Sequence, residues 1–189
     1  MGQFQSNPSR LILLDRDGVI NEDSDNYIRS VAEWQPIPGS LEAIAKLAQH
    51  GYRVVVLTNQ SGIARGYYSV TTLNAMHHKM HRMVGELGGE IEAVLFCPHG
   101  PDDGCTCRKP LPGMFETVAK RLGINLSGVP AVGDSLRDLQ AARAAGADPV
   151  LVRTGKGLRT LAKPDGLSGI PIYDDLASFA DDLLLSNSA

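Results

Sequence analysis

The chain has 189 residues, 43% of them hydrophobic and 21% charged, with a net charge of -3 at neutral pH. That balance predicts one domain, spanning 1–189, with a substantial core. It excludes wholesale disorder and gives no electrostatic footprint for general nucleic-acid binding. No apolar run approaches the roughly 18 residues of a membrane span, and the stretch before Leu11 lacks the apolar centre of a secretory leader. A soluble, cytoplasmic monomer is therefore expected. All three cysteines fall between residues 97 and 107. No disulfide framework requires that crowding, which points instead to a metal in a reducing compartment.

Residues 1–9 and 186–189 read as flexible ends. Leu11–Leu14 is a run of four large aliphatic residues, the pattern of a strand buried on both faces. It stops at Asp15-Arg16-Asp17-Gly18, which on its own admits either a solvated turn or two carboxylates poised for chemistry. Asn21–Pro38 reads as a long loop leaving the sheet, and loops of that length are often functional. A helical stripe from Leu41 ends at His50-Gly51. Arg53–Leu57 is a second strand, closing on Thr58-Asn59-Gln60-Ser61-Gly62. Residues 70–87 are helical by spacing, and Ile91–Phe96 is a third strand running into the cysteine segment. A helix from Pro112-Gly113 to Leu122 follows, then a strand at Val129–Val132, Gly133-Asp134-Ser135, and a helix from Leu136 to Ala145. Val150–Val152 and Ile170–Tyr173 are the last strands, ahead of an amphipathic terminal helix. Strands alternating with helices predict a Rossmann-like parallel α/β sheet with right-handed crossovers.

In such a sheet, ligands bind beyond the carboxyl ends of the strands. Asp15 and Asp17, Thr58 and Asn59, Lys109, and Asp134 all follow strands, so residues far apart in sequence are expected to meet. The inventory fits phosphoryl transfer. One carboxylate can act as a nucleophile, a second can move a proton, and a hydroxyl, an amide and an ammonium can hold the phosphoryl oxygens. A carboxylate pair and a main-chain carbonyl could hold Mg²⁺.

The order Asp15-Arg16-Asp17-Gly18, Val56-Leu57-Thr58-Asn59-Gln60, Arg108-Lys109-Pro110 and Gly133-Asp134-Ser135-Leu136-Arg137-Asp138 resembles the haloacid dehalogenase (HAD) superfamily of aspartyl phosphatases. Thr58 to Gly66, Cys97-Pro98-His99, Cys105 to Pro110 and Val152 to Lys156 are similar to its heptose-bisphosphatase and histidinol-phosphatase branch. The resemblance implies a HAD fold with no large cap domain and a Mg²⁺-dependent phosphatase acting on a small sugar bisphosphate. The implied reaction removes the 7-phosphate of a heptose 1,7-bisphosphate, in activated-heptose and lipopolysaccharide-core synthesis. It implies Asp15 as nucleophile, Asp17 as general acid/base, Thr58 and Lys109 as stabilisers of the phosphoryl group, and Arg108 as the reader of the substrate's far end. Asp15, Asp17 (through its carbonyl) and Asp134 would bind Mg²⁺. Asp23, Asn26 and Tyr27, with Asn59, Gln60 and Ser61, would complete the substrate site. Ser135 stands where some relatives carry lysine. Asp138 reads as the exposed face of its helix, with a place near the metal as the alternative.

Cys97-x-His99 and Cys105-x-Cys107 supply four ligands, the number for a closed, structural zinc site. The resemblance implies that zinc pins a 97–109 loop beside the catalytic edge, fixing where Arg108 and Lys109 point. Other features take plainer readings. His77, His78 and His81 read as a solvated helix face, and Met76, Met80 and Met83 as core filler. Arg65-Gly66 either touches substrate or ends a loop; Arg153 and Lys156 give electrostatic support. The competing functions are a histidinol-phosphatase, a polynucleotide 3′-phosphatase and a non-catalytic zinc-stabilised interaction module.

Overall fold

The computed structural model describes residues 10–163 and 165–186. Of the two ends expected to be flexible, 1–9 and 187–189 lie outside the described residues, while Ser186 is the last residue of the terminal helix. The four aliphatic residues of β1 (Leu11–Leu14) are all buried. Alternate side chains project to opposite faces of a strand. Ile12 and Leu14 enter one core layer and Leu11 and Leu13 the other, so both faces of β1 are covered.

β1 pairs in parallel with β2 (Arg53–Asn59) on one side and with β4 (Pro130–Gly133) on the other. The sheet order is β3-β2-β1-β4-β5-β6, with β3 at Ala93–Cys97, β5 at Asp148–Val152 and β6 at Ile172–Tyr173, and every pairing is parallel. The expected parallel α/β class holds. α1 (Ser40–Gln49), α2 (Val70–Glu86) and α6 (Leu176–Ser186) cover one face through Ile44, Leu47, Leu73, Met76, Met80 and Phe179. α3 (Gly113–Leu122) and α4 (Leu136–Ala144) cover the other through Phe115, Val118 and Ala141.

Several boundaries differ from the sequence pattern. β3 starts at Ala93 rather than Ile91; Ile91 is buried in the core just before the strand, so its apolarity reports burial and not pairing. β6 has only two residues. A short helix, α5 (Gly157–Leu161), was not expected, since five residues are too few to display a helical period. The long loop after β1 is not a solvated excursion: Ile28, Trp34 and Ile37 are buried and pull it onto the core. Among the described residues, the chain between β1 and β2 holds only this loop and α1, which leaves no room there for a cap domain. Among the described residues, no helix is long and apolar enough to cross a membrane.

The chain leaves β1 toward β2 and β3, then returns to the other side of β1 as β4. That reversal opens a crevice at the carboxyl ends of β1 and β4. Asp15 follows one strand and Asp134 the other, which brings the two carboxylates together.

The core that fixes this geometry lies well behind the crevice. Phe179 is fully buried and packs edge-on against Tyr173 at 5.4 Å. Phe179→Ala should cost about 3–5 kcal/mol of unfolding free energy, read from urea denaturation.

Candidate active site

The site is organised by a buried ammonium. Lys109 is 2% exposed. Its Nζ donates to the Leu57 carbonyl at 2.7 Å and contacts Asp15 Oδ1 at 2.9 Å and Asp138 Oδ1 at 2.6 Å. An ammonium has three protons, so its donor capacity is filled. Burial favours the neutral amine, but the charges of Asp138 and Asp15 outweigh it and raise the lysine pKa. Asp138 also accepts from the Ser135 N–H at 3.0 Å and its hydroxyl at 2.5 Å. Burial works against ionising Asp138, yet Lys109 and these bonds hold its pKa below the usual carboxylate value.

Asp138 is thus buried at the root of α4, and the exposed-face reading is corrected. The 9-residue helix is too short, and too rich in alanine, for its pattern to reveal which side carries Asp138. Oxygens of Asp15, Asp134 and Asp138 lie within 4.8 Å of one another. Burial first, and the neighbouring carboxylates second, push Asp15 up to about 7 and Asp134 up to about 8. Three carboxylates facing one ammonium leave an excess of negative charge that a small hard cation would neutralise. Oxygen-only donors suit Mg²⁺. The cluster therefore fits Mg²⁺, with Asp138 committed to Lys109 and Ser135, and Asp15 and Asp134 the more available donors.

Asp134 is held from above by the segment after β5. The Lys156 N–H donates to Asp134 Oδ2 at 2.7 Å, and the Thr154 hydroxyl donates to the Gly18 carbonyl at 2.7 Å. Gly18 (φ 84°) and Gly155 (φ 57°) pack backbone to backbone here. A Cβ on Gly18 would fall 2.1 Å from Asp134 Oδ2, and one on Gly155 would fall 2.4 Å from the Gly18 Cα.

Asp17 points elsewhere. Arg16 Nη2 lies 2.8 and 3.0 Å from its two oxygens, Asn21 Nδ2 donates at 2.8 Å, and Gln60 Nε2 donates at 2.7 Å. Burial opposes ionisation, but the Arg16 charge and these bonds keep its carboxyl below the normal range. Gln60 Nε2 also donates to Thr58 Oγ1 at 2.8 Å, which leaves the threonine's own proton available to the cleft. The Gln60 carbonyl accepts from Arg16 at 3.2 Å and from the Tyr68 hydroxyl at 2.6 Å. All four hydrogen-bonding positions of Gln60 are taken within the protein. Asn59 exchanges two 3.0 Å bonds with the Lys109 main chain, so it ties β2 to the lysine.

The cleft has a volume of about 200 Å³ and is lined by Asp15, Asp17, Thr58, Asn59, Gln60, Ser61, Arg108, Lys109 and Asp134. Asp23 and Tyr27 also line it; Asn26 does not, and lies exposed on the outer side of the loop. Lys156 Nζ pairs with Asp23, and Arg159 on α5 pairs with Asp25, pinning the loop from the far side of the crevice. Tyr27 has a left-handed backbone (φ 67°) and meets Tyr67 edge-on at 5.1 Å. Arg65 stacks 6.0 Å from the Tyr27 ring and does not line the cleft. Arg153 is likewise remote, paired with Asp174.

Cys97, His99, Cys105 and Cys107 converge beside this cleft. Cys97 Sγ lies 3.5 Å from His99 Nδ1 and 3.7 Å from Cys105 Sγ, and Cys107 Sγ lies 3.4 Å from His99 Nδ1. Ligands at about 2.3 Å (sulfur) and 2.0–2.1 Å (nitrogen) from a tetrahedral zinc stand roughly 3.5–3.8 Å apart. The spacing fits zinc, and burial pushes the Cys97 thiol up to about 12, so a thiolate there calls for a cation. Arg108 follows directly and donates to the His99 carbonyl at 3.1 Å, leaving the rest of its guanidinium to the cleft.

Several residues at the site were not singled out individually in the sequence. Tyr68 and Arg137 line the cleft; Arg16 and His77 lie beneath it. His77 is 7% exposed and contacts Arg16, which corrects the solvated reading for that residue, while His78 and His81 are exposed as expected. Its neighbours Met76 and Met80, both fully buried, mark the same helix face and were the available signal.

Two outcomes follow. Asp15 and Asp134 bind protons in the folded state at pH values where the unfolded chain has released them, so folding stability falls as pH rises through about 7–8. With zinc retained and no Mg²⁺ added, the urea midpoint should drop between pH 5 and 8, and added Mg²⁺ should abolish that drop; a flat profile would contradict the cluster's electrostatics. Zinc removal should raise amide exchange across residues 98–108 while leaving β1 and β4 protected.

Residues 10–137 match the family model described as Polynucleotide kinase 3 phosphatase, and residues 106–179 match the model described as HAD-hyrolase-like. A D-glycero-beta-D-manno-heptose-1,7-bisphosphate 7-phosphatase of Bordetella bronchiseptica is 57% identical over 93% of this chain and 98% of its own length. One from Pseudomonas aeruginosa is 58% identical over 92% of this chain and 97% of its own. A crystal structure of the D,D-heptose 1,7-bisphosphate phosphatase from B. bronchiseptica, complexed with magnesium and phosphate, superposes with a TM-score of 0.91 at 56% identity, covering 93% of this chain and 98% of that one. Within the HAD-like hydrolases, the chain belongs to the family of the D-glycero-beta-D-manno-heptose-1,7-bisphosphate 7-phosphatases.

Proposed function

We propose that this chain removes the C7 phosphate of D-glycero-β-D-manno-heptose 1,7-bisphosphate, giving the heptose 1-phosphate and inorganic phosphate. The identity to the heptose enzymes along nearly the whole chain carries the substrate and its β-anomer. The Asp15–Lys109–Asp138 ion cluster beside Asp134 carries the chemistry. The chain works as a cytoplasmic monomer and does not use nucleic acid.

Asp15 attacks phosphorus and forms an aspartyl phosphate as the C7 alkoxide departs. Asp17 protonates that alkoxide, then takes a proton from the water that hydrolyses the acyl phosphate. Arg16, Asn21 and Gln60 hold Asp17 ionised in the free protein. The incoming phosphate dianion raises its proton affinity, because a nearby like charge disfavours the carboxylate, and Asp17 takes up a proton from solvent that it then passes to the alkoxide. Thr58 donates its hydroxyl proton to a phosphoryl oxygen. Lys109 acts through its charge, since its protons are already engaged. Asp15, Asp134 and the Asp17 carbonyl would hold Mg²⁺, which when bound neutralises the phosphoryl oxygens and the carboxylates facing them.

Asp23, Tyr27 and Ser61 wall the sugar's side of the cleft, and Arg108 meets the phosphate that remains on C1. Asn26 contributes through the loop's shape. The match to the polynucleotide phosphatase model supports a second reading, a terminal phosphate on a nucleic acid. The cleft's acidic lining and the chain's net charge of -3 weigh against it.

The test is phosphate release with Mg²⁺ from the α and β heptose bisphosphates, histidinol phosphate and a 3′-phosphorylated oligonucleotide. Preference for the β heptose is expected; turnover of the oligonucleotide or histidinol phosphate alone would replace the substrate. Loss of a charged hydrogen-bonding partner costs about 1.5–3 kcal/mol, or roughly 10–100-fold. Arg108→Ala should raise KM for the bisphosphate by about that factor and leave kcat/KM for a small monophosphate ester within about threefold.

A further inference from the structure

The reaction above gives no step to the buried His77 and uses the buried Arg16 only as a counter-charge to Asp17. Arg16 is 1% exposed and His77 is 7% exposed. Neither lines the cleft, and neither stands within reach of a substrate there. Arg16 sits between the two carboxylates of the first motif, but its side chain runs under Asp17 toward α2. A guanidinium is always charged and has donors only. Its Nη1 lies 3.2 Å from His77 Nε2. That nitrogen must therefore be the acceptor, which makes the imidazole neutral with its proton on Nδ1. Burial and the Arg16 charge act the same way, pushing His77 down to about 3.

The other edges of the guanidinium are fully used. Nη2 reaches both Asp17 oxygens at 2.8 and 3.0 Å and the Gln60 carbonyl at 3.2 Å, and Nε reaches Asp17 Oδ1 at 3.2 Å. Gln60 in turn donates to Asp17 and to Thr58 at 2.7 and 2.8 Å. The plane of the Asp17 carboxylate is thus set from beneath by a rigid fork. The fork's free end is set by a helix whose Met76 and Met80 are locked in the core.

We propose that Arg16 and His77 are positioning residues: α2 presents a neutral imidazole that fixes the Arg16 guanidinium, which in turn fixes the Asp17 carboxylate for proton transfer to the leaving oxygen. The inference rests on the reading of Asp17 as the general acid, and it assigns to α2 a share in the chemistry that no cleft residue reveals. An ion pair needed only for folding would affect all substrates alike. A device that aims an acid affects only those whose leaving group needs a proton.

The experiment compares kcat/KM, which reports formation of the aspartyl phosphate, for an alkyl phosphate and for p-nitrophenyl phosphate. It uses the zinc-loaded protein with Mg²⁺, as wild type, His77→Leu, His77→Gln and Arg16→Lys. A general acid contributes roughly 10²–10⁴-fold, and misaiming forfeits part of it. His77→Leu and Arg16→Lys should lose about 10–100-fold on the alkyl ester and less than about threefold on the aryl ester, whose phenolate departs unprotonated. His77→Gln, whose amide oxygen can accept from Arg16, should recover most of the alkyl activity. Equal losses on both esters, or no loss on either, would overturn the proposal. Arg16→Lys carries the same comparison if His77→Leu does not fold. A wild type inert toward both esters would instead overturn the phosphatase reading itself.

Discussion

The bridging of two carboxylates by the buried Lys109 ammonium is the interaction on which the rest of this structure depends. Two carboxylates and a main-chain carbonyl take its three protons. Each comes from a different element: Asp15 from the end of β1, Asp138 from α4, and Leu57 from β2. The lysine is therefore a tie between the two halves of the sheet. Deleting it would leave buried carboxylates uncompensated, a change more damaging than the loss of one contact. Its own position is set by the Asn59 side chain on one side and by the Cys97–Cys107 cluster immediately before it on the other.

This arrangement explains how a chain whose β1 and β2 are joined by only a loop and one helix still builds a walled cleft. The walls are three short loops, each anchored by something rigid. The 23–27 loop is held by Lys156 and Arg159, the 60–68 loop by Gln60 and the Tyr27–Tyr67 contact, and the cysteine loop by its ligand set. The exposed Asp25–Arg159 pair contributes little energy on its own. The half-buried Lys156–Asp23 pair is coupled to the buried carboxylate cluster, because the Lys156 N–H also holds Asp134.

Much of this was legible in the residues. The aliphatic run of β1, the β-branched run of β2 and the motif order fix the parallel sheet, and parallel strands must deliver their carboxyl-end residues to one edge. The cysteine spacing announced its cluster because ligand chemistry leaves few other uses for three thiols and an imidazole in eleven residues. What sequence did not reveal was direction. Asp138, Arg16 and His77 are polar residues in surroundings that read equally well as solvent-facing, and only tertiary packing turns them inward. Gln60 and Asn59 pose the converse problem: their motif marks them for substrate, yet their amides are occupied by protein partners. Asn26 faces away from the cleft because a turn of loop can present only some of its side chains to one side.

The contact between Gly18 and Gly155 has a further consequence. Their backbones meet directly over Asp134, so neither position offers space that a change at the other could exploit. Pairs of residues in contact often reveal themselves across a family by changing together. Here the two sites can only stay as they are, and this contact between the first motif and the 152–156 stretch would leave no correlated signal at all.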